Sequence, residues 1–387
     1  MMPERTRWAL VLLIWVAGLA AAAQYGKISV IFDRIGAFYP QAGAWLGFTV
    51  SMVGVLGILL GAVAGAFVAA MGYRRMLLAA LWIGAAMSAL QALGLPFALF
   101  LATRGIEGLS HLGLVVAAPT LIAQISAERD RGATLTLWST FFSVAFALLA
   151  WLGIPLVERF GVTALFAAHA ALMALLAVLL RPALARVPAP VRQPMPRLRD
   201  LPAVHREIYR SPHIGAPAAG WLFYTCCFLA ALTLLPAHVD PGLRALVAGA
   251  MPLVSIVVSL TFGVWLLRHM PAVTVVEIGF GLGTLAAAWL WLSPGGPAAS
   301  LGLAAALGLV QGATFAAVPQ LNATAATRAQ ANGALAQAGN LGNTLGTPLL
   351  LAATSVAGYA GMIALMALLL LAGLAVHRGL AGLRRVV

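Results

Sequence analysis

Arg104, Glu107 and His111 fall within eight residues of an otherwise apolar stretch. Offsets of three and four put all three on one face of a helix. Their types suit anion and proton chemistry. A guanidinium grips an anion through paired N–H donors, and a carboxylate or an imidazole can exchange protons near neutral pH. The bland alternative is a buried ion pair that only fixes packing. Chemistry is the favoured reading, because apolar residues can replace a purely structural pair at little cost in stability.

Other polar side chains are sparse. Lys27 stands beside Gln24 and Tyr25, and two readings are open for it: snorkelling to lipid headgroups or lining a cavity. Asp33 and Arg34 read as solvated charges, Glu277 as a helix-end carboxylate, and His169 as a lone packing residue. Gln337, Asn340, Asn343 or Thr344, and Thr347 recur every three or four residues. One helical stripe of amides and hydroxyls either bonds to neighbouring helices or lines a path. Trp221 and Tyr224, and Trp138 with Phe142, are candidate aromatic walls, with packing as the default for each.

The elements that must hold these residues are long and apolar. Hydrophobic residues make up 62% of the chain and charged residues 9%. A hydrocarbon core of ~30 Å needs roughly 20 helical residues to cross it. Twelve stretches qualify, at about Trp8–Ile31, Ala44–Met71, Met76–Leu93, Pro96–Ile122, Leu135–Val157, Thr163–Leu180, Pro217–Leu235, Ala245–Leu267, Val273–Leu292, Ala298–Leu321, Asn332–Thr354 and Gly358–Val376. The first resembles a secretory signal, but an uncleaved helix gives the even count that the charges require. Between the sixth and seventh, Arg181–Ser211 holds six prolines and seven arginines. The expected fold is an all-α membrane protein of 12 transmembrane helices: a six-helix bundle over 1–182, a basic cytoplasmic linker over 183–212, and a second six-helix bundle over 213–387.

The net charge of +13 invites a nucleic-acid reading until the basic residues are placed. Of the 23 lysines and arginines, 18 fall on one side of such a topology. That is the positive-inside pattern, with both termini cytoplasmic at the inner membrane. Nucleic-acid binding is therefore rejected. Cys226 and Cys227 are adjacent, which suits packing rather than a bridge or a metal. No Walker loop, metal motif or nucleophile set is present, so an enzyme, a cofactor and a bound metal are not expected.

The stretch Gly65–Arg75 resembles the signature loop of the major facilitator superfamily: glycine, three residues, aspartate, arginine, one residue, glycine, then basic residues. Gly65, Gly72, Arg74 and Arg75 fit, while Ala69 and Ala70 replace the charged pair. Arg104-Gly-Ile-Glu107-Gly108 is similar to that family's arginine–glycine motif for proton coupling. With Val115–Pro119 and Ala133–Trp138 it resembles the cyanate and nitroimidazole permease-like branch. The halves also echo each other, Glu107-Gly108 and Pro119 against Gln311-Gly312 and Pro319.

The resemblance implies a secondary transporter that works by alternating access in the lipid bilayer. The expected cargo is a small organic or inorganic anion moving with protons, and the expected state a monomer. Arg104, Lys27, Tyr25, Trp138, Trp221, Tyr224, Gln337, Asn340 and Asn343 are the candidate substrate contacts. Glu107 and His111 are the candidate proton carriers, and Gly65, Gly72, Arg74 and Arg75 form the gating loop. Proton-driven export of a drug-like or metal-chelating metabolite is the alternative, and a non-transporting sensor is a third possibility.

Overall fold

Apolar chain in a bilayer must satisfy its backbone hydrogen bonds internally, and helices do this within one segment. The computed structural model describes residues 5–61, 71–127, 130, 134, 137, 138, 140–187, 199, 201–323 and 325–386, and no strand occurs among them. In chain order the helices are α1 (Trp8–Ser29), the short α2 (Phe32–Phe38), α3 (Pro40–Gly61), α4 (Tyr73–Gln91), α5 (Phe97–Ile125), α6 (Phe141–Phe160) and α7 (Val162–Ala185). They continue with α8 (Leu201–Arg210), α9 (Ala216–His238), α10 (Arg244–Leu267), α11 (Ala272–Leu292), α12 (Pro297–Leu321) and α13 (Ala325–Val386).

Ten helices among the described residues are long and apolar enough to cross a membrane. The last of these stretches holds two spans, because α13 turns at Ala357 and at Gly358, whose φ is +62°. A left-handed backbone is accessible to glycine without a Cβ clash. With α4, whose first turn carries Arg74 and Arg75, each of the twelve expected spans has a helical counterpart among the described residues. The second begins at Pro40 rather than Ala44, and its predicted end near Met71 crosses residues outside the described set.

Close packing groups the chain into two units: Met1–Tyr39 with Val63–Pro196, and Pro40–Ala62 with Arg197–Val387. The first unit buries Val11, Ile14, Leu77, Leu81, Leu114, Leu121, Leu176 and Leu180 from α1, α4, α5 and α7. In the second unit α3 lies along α13. A Cβ on Gly47 would meet the Pro348 backbone at 2.8 Å, and one on Gly57 would overlap the Asn340 side chain. α9 is also seated on α13, and Cys226 and Cys227 are free thiols buried in that seam. A single π-helical turn interrupts α6 at Leu149–Gly153, and another interrupts α10 at Ser259–Gly263.

These seams depend on missing side chains. A Cβ on Gly346 would lie 2.8 Å from the Cα and carbonyl carbon of Cys226, whereas one on Gly333 of the same helix meets nothing within 4 Å. Backbone cannot swing aside, so Gly346→Ala is expected to cost about 1–3 kcal/mol by overpacking. Gly333→Ala is expected to be neutral or slightly stabilising, since alanine is the better helix former. Thermal unfolding of the two purified variants checks the contrast; equal melting temperatures would remove the seam from the account.

Candidate functional site

Three charged residues of the first unit, Lys27, Arg104 and Glu107, meet in one buried network. Lys27 of α1 donates from Nζ to Glu107 Oε1 at 2.6 Å and to Ser88 Oγ of α4 at 2.7 Å. Arg104 of α5 donates through one nitrogen to Glu107 Oε2, forming an ion pair one helical turn apart, and through the other to the Gln24 carbonyl at 2.5 Å. Gln91 Nε2 adds a donor to Glu107 Oε2 at 3.0 Å and reaches Thr103 Oγ1 at 3.1 Å. From α7, His169 brings Nδ1 to 2.7 Å from Ser88 Oγ and 3.4 Å from Lys27 Nζ.

Helix α1 is the anchor for all of this. Its carbonyls at Ala20, Ala21 and Gln24 accept from His169 Nε2 at 2.9 Å, His111 Nδ1 at 3.0 Å and Arg104. A carbonyl oxygen has two lone pairs, so it can serve a side chain and its own helix together. The bond to Ala20 requires a proton on His169 Nε2, which leaves Nδ1 bare as the acceptor that faces Ser88. Gln24 Nε2 meanwhile donates to Ser110 Oγ at 2.7 Å.

Charge counting is the central electrostatic fact. Among the described residues the buried side chains with formal charge are Lys27, Arg104 and Glu107, each with no exposure. That is two cations to one carboxylate, taken out of water together. The carboxylate is held by donors on both oxygens, the arrangement that stabilises an ionised buried acid.

Lys27 therefore points inward, and of the two readings open for it the structure has the buried one. His169 is not a lone packing residue; it is hydrogen-bonded within the network. His111 shares a helix face with Glu107, yet its Nδ1 goes to α1 and its ring lies edge-on to Tyr25 at 5.0 Å. Tyr25 is fully buried, and its hydroxyl has no hydrogen-bond partner among the described residues. Trp138 stands apart from the charges, stacked on Phe141 at 4.6 Å with its ring over Gly18 of α1. Ser88, Gln91 and His169 were not among the expected contacts. The signal for the first two was there: two polar residues three apart in an apolar helix.

In the second unit, Trp221, Tyr224 and Phe228 of α9 stack in series at 4.5 and 5.1 Å, and Phe315 meets Trp221 edge-on at 5.0 Å. The Tyr224 hydroxyl donates to Gln311 Oε1 at 3.2 Å. Gln337 is engaged on both ends of its amide. Its oxygen accepts from the Tyr209 hydroxyl at 3.0 Å, and its nitrogen donates to the Ile58 carbonyl and to His205 Nε2, each at 3.0 Å. Asn340 donates to its own helix at the Ala336 carbonyl, 2.9 Å away, and Asn343 is half-buried. Arg74 and Arg75 are exposed after Gly72, whose φ is +83°. Gly65, Ala69 and Ala70 lie outside the described residues.

The family model described as Major Facilitator Superfamily matches residues 10–347. No curated protein gives a match. A solved bacterial homolog of the human lysosomal transporter Spinster, in an inward-facing and unoccupied conformation, is similar in fold. It superposes with a TM-score of 0.77 at 14% identity, over 97% of each chain.

The charge count predicts an order of stabilities. Glu107→Gln leaves two buried cations with no carboxylate and should cost roughly 3–5 kcal/mol, the range for a buried charge stripped of its partner. Lys27→Met leaves Arg104 and Glu107 balanced and should cost clearly less. Thermal unfolding in one detergent compares them; a loss in Lys27→Met as large as in Glu107→Gln would mean that charge balance does not govern this core.

Proposed function

The chain belongs to the Major Facilitator Superfamily and is a secondary membrane transporter, and on that premise we propose that it moves a small organic or inorganic anion together with protons by alternating access. The observation that carries this reading is the buried pair of cations, Lys27 and Arg104, set against the single carboxylate of Glu107. With both cations charged the cluster has one positive charge in excess. An incoming anion neutralises it. With one proton fewer the same anion would create an excess negative charge instead. Anion binding and proton binding therefore favour each other, by the same factor in both directions.

Arg104 is the anchor for the anion in this reading. Its planar fork presents two N–H groups to one anionic group, and the anion takes the place that Glu107 occupies in the closed network. The unpartnered hydroxyl of Tyr25 is a further donor on the same helix as Lys27. The arginine distribution supports cytoplasmic termini in the inner membrane. A division into bundles over 1–182 and 213–387 with a linker between them is part of the same proposal, as are a monomeric state and the narrower likeness to cyanate and nitroimidazole permeases.

A second reading, proton-driven export of a drug-like or metal-chelating metabolite, draws on the aromatic series Trp221, Tyr224 and Phe228, which suits a flat apolar solute. Inside-out and right-side-out vesicles separate uptake from export.

Proteoliposomes test the main reading with a panel of small carboxylates and inorganic anions. An imposed gradient, acidic outside, is expected to drive accumulation of at least one of them, and a sodium gradient is not. Arg104→Gln should reduce that accumulation roughly tenfold or more, equivalent to ~1.4 kcal/mol of binding. Accumulation that ignores the pH gradient would overturn proton coupling.

A further inference from the structure

Lys27 is the only lysine in the chain; the other 22 basic residues counted with it are arginines. Arginine stays protonated in proteins, so those side chains are fixed charges. A lysine ammonium can give up its proton when buried. Of these 23 side chains the one able to do so is also wholly buried, in contact with a carboxylate, a hydroxyl and an imidazole. We infer that Lys27 is the group that takes up and releases the proton, and that Ser88 links it to His169 as a second proton site. This rests on the proton-coupled reading above and names the residue that serves it.

The geometry favours Lys27 over the carriers expected from spacing. Glu107 accepts from Lys27, Arg104 and Gln91, with Ser88 3.4 Å from the same Oε1 as Lys27. A proton added there would put another donor among donors and break a charge-assisted bond. His111 commits Nδ1 to the Ala21 carbonyl and makes no hydrogen bond to Glu107. Lys27, by contrast, is an acid beside a base. Its Nζ lies 2.7 Å from Ser88 Oγ, and that oxygen lies 2.7 Å from the bare Nδ1 of His169.

The transfer balances. An N–H bond of the Lys27 ammonium breaks as its proton passes to Ser88 Oγ, while the Ser88 hydroxyl proton passes to His169 Nδ1. The products are a neutral amine, an unchanged serine and an imidazolium whose Nε2–H still donates to Ala20. No charge leaves the cluster. Lys27 is faced by Ser88 on α4, Arg104 and Glu107 on α5, and Phe166 and His169 on α7, with the Phe166 ring 5.5 Å from Nζ. Of these, Arg104 and Glu107 hold fixed opposite charges, so the movable charge belongs to Lys27 and His169.

A single lysine makes a single spectroscopic probe. The full chain is labelled with ζ-15N-lysine, and its one Nζ signal is followed by NMR against pH. The expected result is a signal that moves between ammonium and amine positions across the pH range in which a pH gradient drives transport. His169→Asn should shift its midpoint by about one pH unit, and Ser88→Ala should shift it as well. A signal held at the ammonium position throughout that range overturns the inference, and a midpoint unmoved in both variants overturns the link to His169. Lys27→Arg keeps the positive charge but cannot release it, so proton uptake per chain, read with an indicator dye, should fall by about one; uptake equal to the parent protein's overturns the assignment. Should the lysine titrate in a protein that accumulates no panel anion under a pH gradient, the transport reading fails and the titration stands.

Discussion

A charge removed from water must find its opposite within a few ångströms or be neutralised by a proton. The first unit is arranged around that constraint. At 4 Å two unit charges interact by about 4 kcal/mol at an effective dielectric of 20, far more than most single contacts in a helical core. Glu107 is the fixed point, because Lys27 of α1 holds its Oε1 and Arg104 of α5 holds its Oε2. Whatever alters the number of charges in this core alters its energy by an amount that packing alone cannot absorb.

Packing nevertheless sets the distances. Gly84 of α4 faces the Gln24–Ser110 hydrogen bond, and a Cβ there would lie 2.6 Å from Ser110 Oγ and 2.9 Å from Gln24 Nε2. Gly26 of α1 leaves its space to Leu149, in the π-helical turn of α6. Such gaps let α1 stand close to α4 and α6, which is how Lys27 reaches Ser88 and Glu107 together. Small residues in membrane helices are often read as contact points between backbones. Here the contact also places a cation.

The helical plan was legible from apolar run lengths because the bilayer itself sets them. The shared face of Arg104 and Glu107 was legible because it is local, three residues apart on one helix. The remainder of the site was not. Lys27 and Glu107 are 80 residues apart and Lys27 and His169 are 142 apart, so their meeting depends on how α1, α5 and α7 pack. The direction of Lys27 was undecidable for the same reason: near a helix end, the amine can turn outward or inward, and only a neighbouring carboxylate decides. Gln337 shows the reverse case. Its place in a polar stripe left two readings open, a path or bonds to neighbouring helices, and its amide is used by Tyr209, His205 and the Ile58 carbonyl.

The echo between the two halves acquires a physical meaning at Glu107 and Gln311. Each is followed by glycine on a corresponding helix, but only the first is charged. Gln311 accepts from the Tyr224 hydroxyl and lies 3.4 Å from Ser255 Oγ, with aromatic rings nearby instead of cations. An amide bonded to hydroxyls costs little to rearrange, since each neutral hydrogen bond is worth about 1 kcal/mol net. An ion pair bonded in a dry core costs several times that to open without a replacement charge. Among the described residues the wholly buried lysine, arginine and carboxylate therefore lie in the first unit, and in the proposed transport reading it is their balance that a proton or an anion changes.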